Sequence, residues 1–115
     1  MRVTHIKPSY FFSTHGFLAT LRNYPYISGQ NIIVKTWIGF TKPDRTKARV
    51  LMVIENYSDE DLEKYTCISG FKTKEEWLEA AKNLHGRKPK RLVIVAKRNI
   101  PLKTVLDFVH RNHHK

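Results

Sequence analysis

The longest unbroken apolar runs in this chain, such as Val50-Leu51-Met52-Val53-Ile54, are only five residues long. A membrane-spanning helix needs about 20 apolar residues, so such a run belongs instead to a strand of a soluble core. It lies within the strongest strand pattern of the sequence, Ala48 to Glu55, and a second pattern of the same kind follows at Arg91 to Ala96. Three further segments alternate as strands do. Arg2–Ile6 is short and stops before Pro8. Phe17–Arg22 sets Phe17, Ala19 and Leu21 against Leu18, Thr20 and Arg22. Asn31–Ile38 sets Ile32, Val34 and Thr36 against Ile33, Lys35 and Trp37. The stretch Thr41–Lys47, between Asn31–Ile38 and Ala48–Glu55, reads as a polar loop.

Helix starts are legible between these strands. Pro8-Ser9 opens a short helix carrying Tyr10, Phe11 and Phe12, which His15-Gly16 ends. Ser58 precedes Asp59-Glu60-Asp61, and acids in a first turn complement the positive end of the helix dipole. Thr73 and Glu76 have capping-box spacing, and Trp77, Ala80, Ala81 and Leu84 then form an apolar stripe ending at Gly86. Pro101 falls in the first turn of a last helix with Leu102, Val105, Leu106 and Val109 inward. The resulting order is β, short α, three β, two α, β, α. It predicts one α+β domain over residues 1–115, built on a small, curved, mostly antiparallel sheet or barrel with flanking helices, residues 99–115 being a C-terminal helical extension. A chain of 115 residues buries enough surface to fold without a staple, and its single Cys67 permits no internal disulfide. A reducing cytoplasmic setting, a monomer and no cofactor are the default expectations.

Charge narrows the function. The net charge is +11, and residues 1–54 hold eight Lys or Arg against one acid, Asp44. Five of the ten acids crowd into Glu55–Glu63. A field of one sign attracts polyanions, with nucleic acid the commonest, and no membrane partner is expected. Tyr24, Tyr26, Trp37 and Phe40 lie among Lys35, Lys42, Arg45, Lys47 and Arg49, and rings interleaved with cations suit single-stranded RNA or DNA. Large aromatics are also ordinary core residues, which is the competing reading for Trp37 and Phe40. Arg87, Lys88, Lys90 and Arg91 form a second basic group on a connecting loop, fit for phosphate contact. His110, His113 and His114 have helical spacing but no completing ligand, so no metal site is expected. Cys67 is read as a small apolar residue rather than a nucleophile, and His5 and His15 as residues without a special role.

Several segments together resemble ASCH domains: Asp59-Glu60-Asp61-Leu62, Gly70-Phe71-Lys72-Thr73-Lys74-Glu75-Glu76-Trp77, Leu84-His85-Gly86, and, earlier, Thr20-Leu21-Arg22 and Ser28-Gly29-Gln30. The resemblance covers about residues 8–98, and its most specific part is the Gly-Phe-x-x-x-Glu-Glu-Trp segment. It implies a PUA-like fold, a small pseudo-barrel with helices over its openings, and RNA binding, favoured over DNA. It further implies that Thr20 and Arg22 belong to a pocket, where Thr20 would be the reacting group if the chain were an enzyme. Some members of the family resemble hydrolases of acetylated cytidine or of RNA. This chain departs from them where chemistry would occur: the family's strand lysine falls on Phe17 and its acidic residue on Ser69. Thr20 is thereby left without an evident activator unless Lys35 or Glu55 reaches it from a neighbouring strand. The leading expectation is a nucleic-acid-binding module, the runner-up a hydrolase of RNA or of a modified nucleoside. A protein-interaction module using the acidic Asp59-Glu60-Asp61 turn ranks third.

Overall fold

A computed structural model describes residues 1–38 and 42–113. Its elements are β1 (Arg2–Val3), α1 (Ile6–His15), β2 (Phe17–Arg22), β3 (Asn31–Thr36), β4 (Asp44–Glu55), α2 (Asp59–Tyr65), α3 (Lys74–His85), β5 (Arg91–Lys97) and α4 (Leu102–Asn112). One turn of 3-10 helix, Thr66–Ile68, follows α2 directly. The strands form one curled half-barrel sheet in the order β1-β3-β4-β5-β2, parallel at β1–β3 and antiparallel elsewhere. The α+β class and the curved, mostly antiparallel sheet thus agree with the sequence reading.

Both faces of the sheet are occupied, by different helices. Leu18, Val34, Ala48, Val50, Val93 and Val95 gather beneath Phe12 of α1, with Val3 from β1. Ser9 fastens this layer: its buried hydroxyl donates to the Val3 carbonyl at 2.8 Å and accepts from the Trp37 amide at 3.3 Å. On the opposite face Phe17, Ala19, Leu21, Leu92, Ile94 and Ala96 pack against Leu62 and Tyr65 of α2, Trp77 and Ala81 of α3, and Val105 and Val109 of α4. The C-terminal helix therefore supplies part of the core. Burial of each such large apolar side chain is worth about 1.5–3 kcal/mol.

Local chemistry accounts for most element boundaries. Gly16 ends α1 in the left-handed conformation, at φ 82°, that glycine adopts without strain. Ser58 and Asp61 close a reciprocal capping box on α2. At α3 the box is half made: Thr73 accepts from the Glu76 amide, but the Glu76 carboxylate takes the amide of Lys72 rather than that of the cap. The first helix begins at Ile6, ahead of Pro8, so the first strand is shorter than expected. Pro8 sits within the first turn, where no amide needs an intrahelical partner.

The largest departure from the sequence reading is in β4, which starts at Asp44 and not at Ala48. Arg45 and Lys47 are strand residues, paired with Lys35 and Ile33 of β3. Thr46 turns inward between them, and pairing with β3 overrides the polar composition. A bulge between Val50 and Met52 then shifts the register against β5. Before it, Ala48 and Val50 face α1; after it Val53 does, while Met52 and Ile54 turn to the three-helix side.

Candidate functional site

The two terminal strands of the sheet, β1 and β2, both line one cavity of about 170 Å³. The half-barrel is unclosed at this seam, and α3 overhangs it. The walls are mainly apolar, with Val3, Pro8, Phe71, Trp77, Ala80 and Leu84 among them, while Thr20, Arg22, His5 and His85 supply polar groups. A cavity of about 150 Å³ holds a benzene-sized ring, so this one matches a single six-membered ring.

Thr20 and Arg22 are brought together as their shared strand face requires. The Arg22 Nε–H donates to Thr20 Oγ1 at 3.1 Å. Among the described residues no carboxylate lies within ion-pair distance of Arg22. Burial lowers its pKa, opposed by the nearby Tyr26 hydroxyl. A guanidinium still holds its proton under such a shift, so the cavity contains a partly desolvated cation with its outer nitrogens open to a ligand.

His85 completes the polar wall. Its pKa is lowered, first by burial and then by the Arg22 charge, with the Leu21 backbone opposing. Its imidazole is therefore neutral at pH 7, one nitrogen a donor and the other an acceptor. Sequence reasoning gave His85 no role, yet it stands eight residues after Trp77 and thus on the same helical stripe. Leu84 on that stripe is 60% exposed at the cavity rim instead of being core, because the end of α3 overhangs the seam. His5 also has a role: it caps α1, its Nδ1 accepting from the Lys7 amide at 3.2 Å, and meets Phe71 edge-on at 4.9 Å.

The motif Gly70-Phe71 is what brings this ring to the cavity. At Gly70, φ is 89° and an added Cβ would lie 2.7 Å from the Pro8 backbone, so only glycine lets the loop pass against α1. Ser69, where the family's acid would stand, is fully buried and holds the turn: its hydroxyl donates to Thr66 and accepts from the Phe71 amide. Phe17 points to the opposite sheet face, 5.2 Å from the ring of Phe108. Neither Lys35 nor Glu55 lines the cavity; Glu55 is paired with Arg91 at 2.6 Å. The half-exposed Cys67 has its thiol pKa raised by burial, which leaves it a poor nucleophile.

The remaining basic and aromatic residues fall into two groups. Lys35, Arg45, Tyr24 and Tyr26 line one shallow depression, with the two tyrosine rings 4.6 Å apart. Lys47 and Arg49 continue this exposed surface along β4, and Lys42 is exposed just ahead of that strand. Trp37 is half-buried, with the Arg2 guanidinium 5.4 Å above its ring. The loop between α3 and β5 forms the second group and is partly structural. Arg91 pairs with Glu55 and donates to the Asn23 carbonyl, the Lys90 amide donates to Asn23 Oδ1, and Lys88 lies over the Tyr57 ring. Arg87 is exposed. Phe40 and His114 lie outside the described residues. No helix among the described residues is long and apolar enough to cross a membrane.

No family model matches the chain, and neither does any curated protein or solved structure.

Proposed function

We propose that this chain is a small RNA-binding module of the ASCH type, with a PUA-like half-barrel and a ligand pocket at Thr20 and Arg22. The observation that carries the reading is Arg22: a half-buried guanidinium in an apolar cavity, with one neutral hydrogen bond and, among the described residues, no carboxylate within ion-pair distance. Its outer nitrogens are suited to a phosphate or to the acceptor edge of a base, and Phe71 and Trp77 offer apolar and aromatic wall beside it. The basic surface outside the cavity supports the same reading through its attraction for phosphates. In this reading the protein acts as a monomer in the cytoplasm, where Cys67 stays reduced, and RNA is preferred to DNA.

The hydrolase reading has one observation in its favour, the neutral His85 in the same cavity as Thr20. Among the described residues that line the cavity, no charged group besides Arg22 stands ready to bind and polarise a scissile bond. Binding is the better-supported function.

A fluorescence-anisotropy titration of labelled RNA at about 50 and about 200 mM salt tests the proposal, because released counterions make phosphate binding salt-sensitive. Arg22→Ala is expected to cost about 1–3 kcal/mol and to change the preference among RNA sequences. Unchanged affinity and preference would remove the pocket from the reading. Shortened RNA after incubation, lost in Thr20→Val, would move it to the hydrolase.

A further inference from the structure

The face of the sheet that α2, α3 and α4 cover over β5 and β2 is open, among the described residues, over β1, β3 and the first half of β4, where Arg2, Arg45, Lys47 and Arg49 are exposed and Lys35 is half-buried. Arg2, Lys35 and Arg45 stand there in one cross-strand row, paired in register across three neighbouring strands. Lys47 and Arg49 extend the row along β4, opposite Ile33 and Asn31. Among the described residues none of these five cations makes an ion pair. Like charges directly opposite each other destabilise a sheet, so the row works against the fold. Charges that guard a sheet edge against aggregation belong on its edge; Arg45 and Lys47 lie beyond the end of β5, but Lys35 and Arg49 have a strand on either side, and edge protection does not account for them.

We propose that this face is a platform for a single nucleic-acid strand, its cations following the phosphodiester backbone and Tyr24 and Tyr26 stacking on bases. The inference rests on the nucleic-acid reading above and assigns its backbone contacts to this face rather than to the Arg87–Arg91 loop. Successive same-face residues of β4 are about 6.8 Å apart, close to the separation of neighbouring phosphates along an extended strand. Tyr24 is 59% exposed and shares a depression with Tyr26, Lys35 and Arg45, so rings and cations are adjacent. Exposed rings beside a cationic track are what unpaired bases need, whereas a duplex keeps its bases stacked inside.

The test compares two triple variants that each remove three positive charges: Arg45→Gln/Lys47→Gln/Arg49→Gln on the platform, and Arg87→Gln/Lys88→Gln/Lys90→Gln on the loop. The probes are a labelled oligouridylate and its duplex with oligoadenylate, titrated by anisotropy across a range of salt. The platform triple is expected to lose on the order of tenfold in affinity for the single strand, and its log–log salt slope to flatten by about 2, three contacts at about 0.7 each. The loop triple is expected to change the slope by less than about 1. Urea unfolding should show the platform triple at least as stable as the parent, so that lost binding is not lost folding. Equal losses in both triples overturn the inference in favour of a diffuse field. Equal binding of the duplex, with the same loss in the platform triple, overturns the single-stranded occupant. If the parent protein binds RNA and the platform triple keeps its slope, the platform fails while the RNA module stands. If the slope flattens but Arg22→Ala changes nothing, the platform stands and the pocket fails. No binding of either probe by the parent protein overturns both.

Discussion

One face of the sheet has two different halves. Over β5 and β2 it presents Leu92, Ile94, Ala96, Phe17, Ala19 and Leu21, sealed by three helices. Over β1, β3 and the start of β4 it presents Arg2, Lys35, Arg45, Lys47 and Arg49, with no helix packed on them among the described residues and only the Trp37 ring against Arg2. The same backbone ladder runs through both, and β4 belongs to each in turn, changing at the bulge between Val50 and Met52. Hydrogen bonding alone therefore does not decide which half is stable. Side-chain burial stabilises the first half, and the second half depends on its other face, where Val34, Ala48 and Val50 pack beneath α1. The covered half is where substitutions are expected to affect folding, and the open half where they are expected to affect binding.

The widest separation between the halves should come from Ile94→Ala against Lys47→Ala. Ile94 is fully buried on β5, and truncation removes transfer energy and leaves a cavity. Its expected cost is about 2–5 kcal/mol. Lys47 is exposed and makes no ion pair among the described residues, and its truncation is expected to stay within about 0.5 kcal/mol of the parent. Urea midpoints at unchanged slope measure both. Comparable losses would mean that the open half contributes to the core and that the division is false.

Tyr57 sharpens the comparison on the covered side, because it is the polar anchor of that half. Its hydroxyl donates to the Pro89 carbonyl at 2.6 Å, and burial pushes its pKa up to about 12. An unfolded tyrosine loses its proton near pH 10, so between about pH 10 and about pH 12 the folded state holds the proton that the unfolded state has released. Stability from this group is therefore complete below about pH 10 and falls as pH rises toward about 12. Tyr57→Phe is expected to cost about 1–3 kcal/mol at neutral pH, since the buried Pro89 carbonyl loses its donor. The gap between parent and variant should narrow through the alkaline range. A constant gap would mean that the fold does not raise the pKa of the hydroxyl, and no gap at all that the hydroxyl anchors nothing.

What the sequence made legible follows the range of the interactions involved. The starts of α2 and α3 and the end of α1 were readable because Ser58, Thr73 and Gly16 act on backbone groups within a few residues. The faces of β2 were readable because alternation is local, and with them the pairing of Thr20 and Arg22 in one site. The first four residues of β4 were not, because their strand character comes from β3, and composition alone makes Arg45-Thr46-Lys47 a loop. The bulge was hidden as well: all five residues from Val50 to Ile54 are apolar, so no alternation marks where the faces exchange. The cavity depends on both ends of the sheet. Val3 and His5, Thr20 and Arg22, and Phe71 and His85 come from three distant segments, and only sheet curvature makes them neighbours. Of the basic residues, the structure separates the tethered Arg91 from the open row on β3 and β4, a distinction that depends on partners such as Glu55 and Asn23.

The smallest expected effect on stability is the most telling about the open half. Lys35 lies in register between Arg2 and Arg45, so Lys35→Glu exchanges two like-charge neighbours for two opposite-charge ones. Each such cross-strand pair is worth about 0.2–1 kcal/mol. The variant is therefore expected to melt a few degrees higher than the parent, with the gain shrinking at high salt as the charges are screened. Its RNA affinity should fall at the same time, because a carboxylate now stands in the cationic row. A protein that becomes more stable while binding less well has kept those charges at a cost to its fold. Lower stability in Lys35→Glu would instead mean that the long lysine stem packs usefully on Ile33 or Trp37, and that the row is held for structure. Higher stability with unchanged RNA affinity would leave the repulsion real and place the phosphate contacts elsewhere.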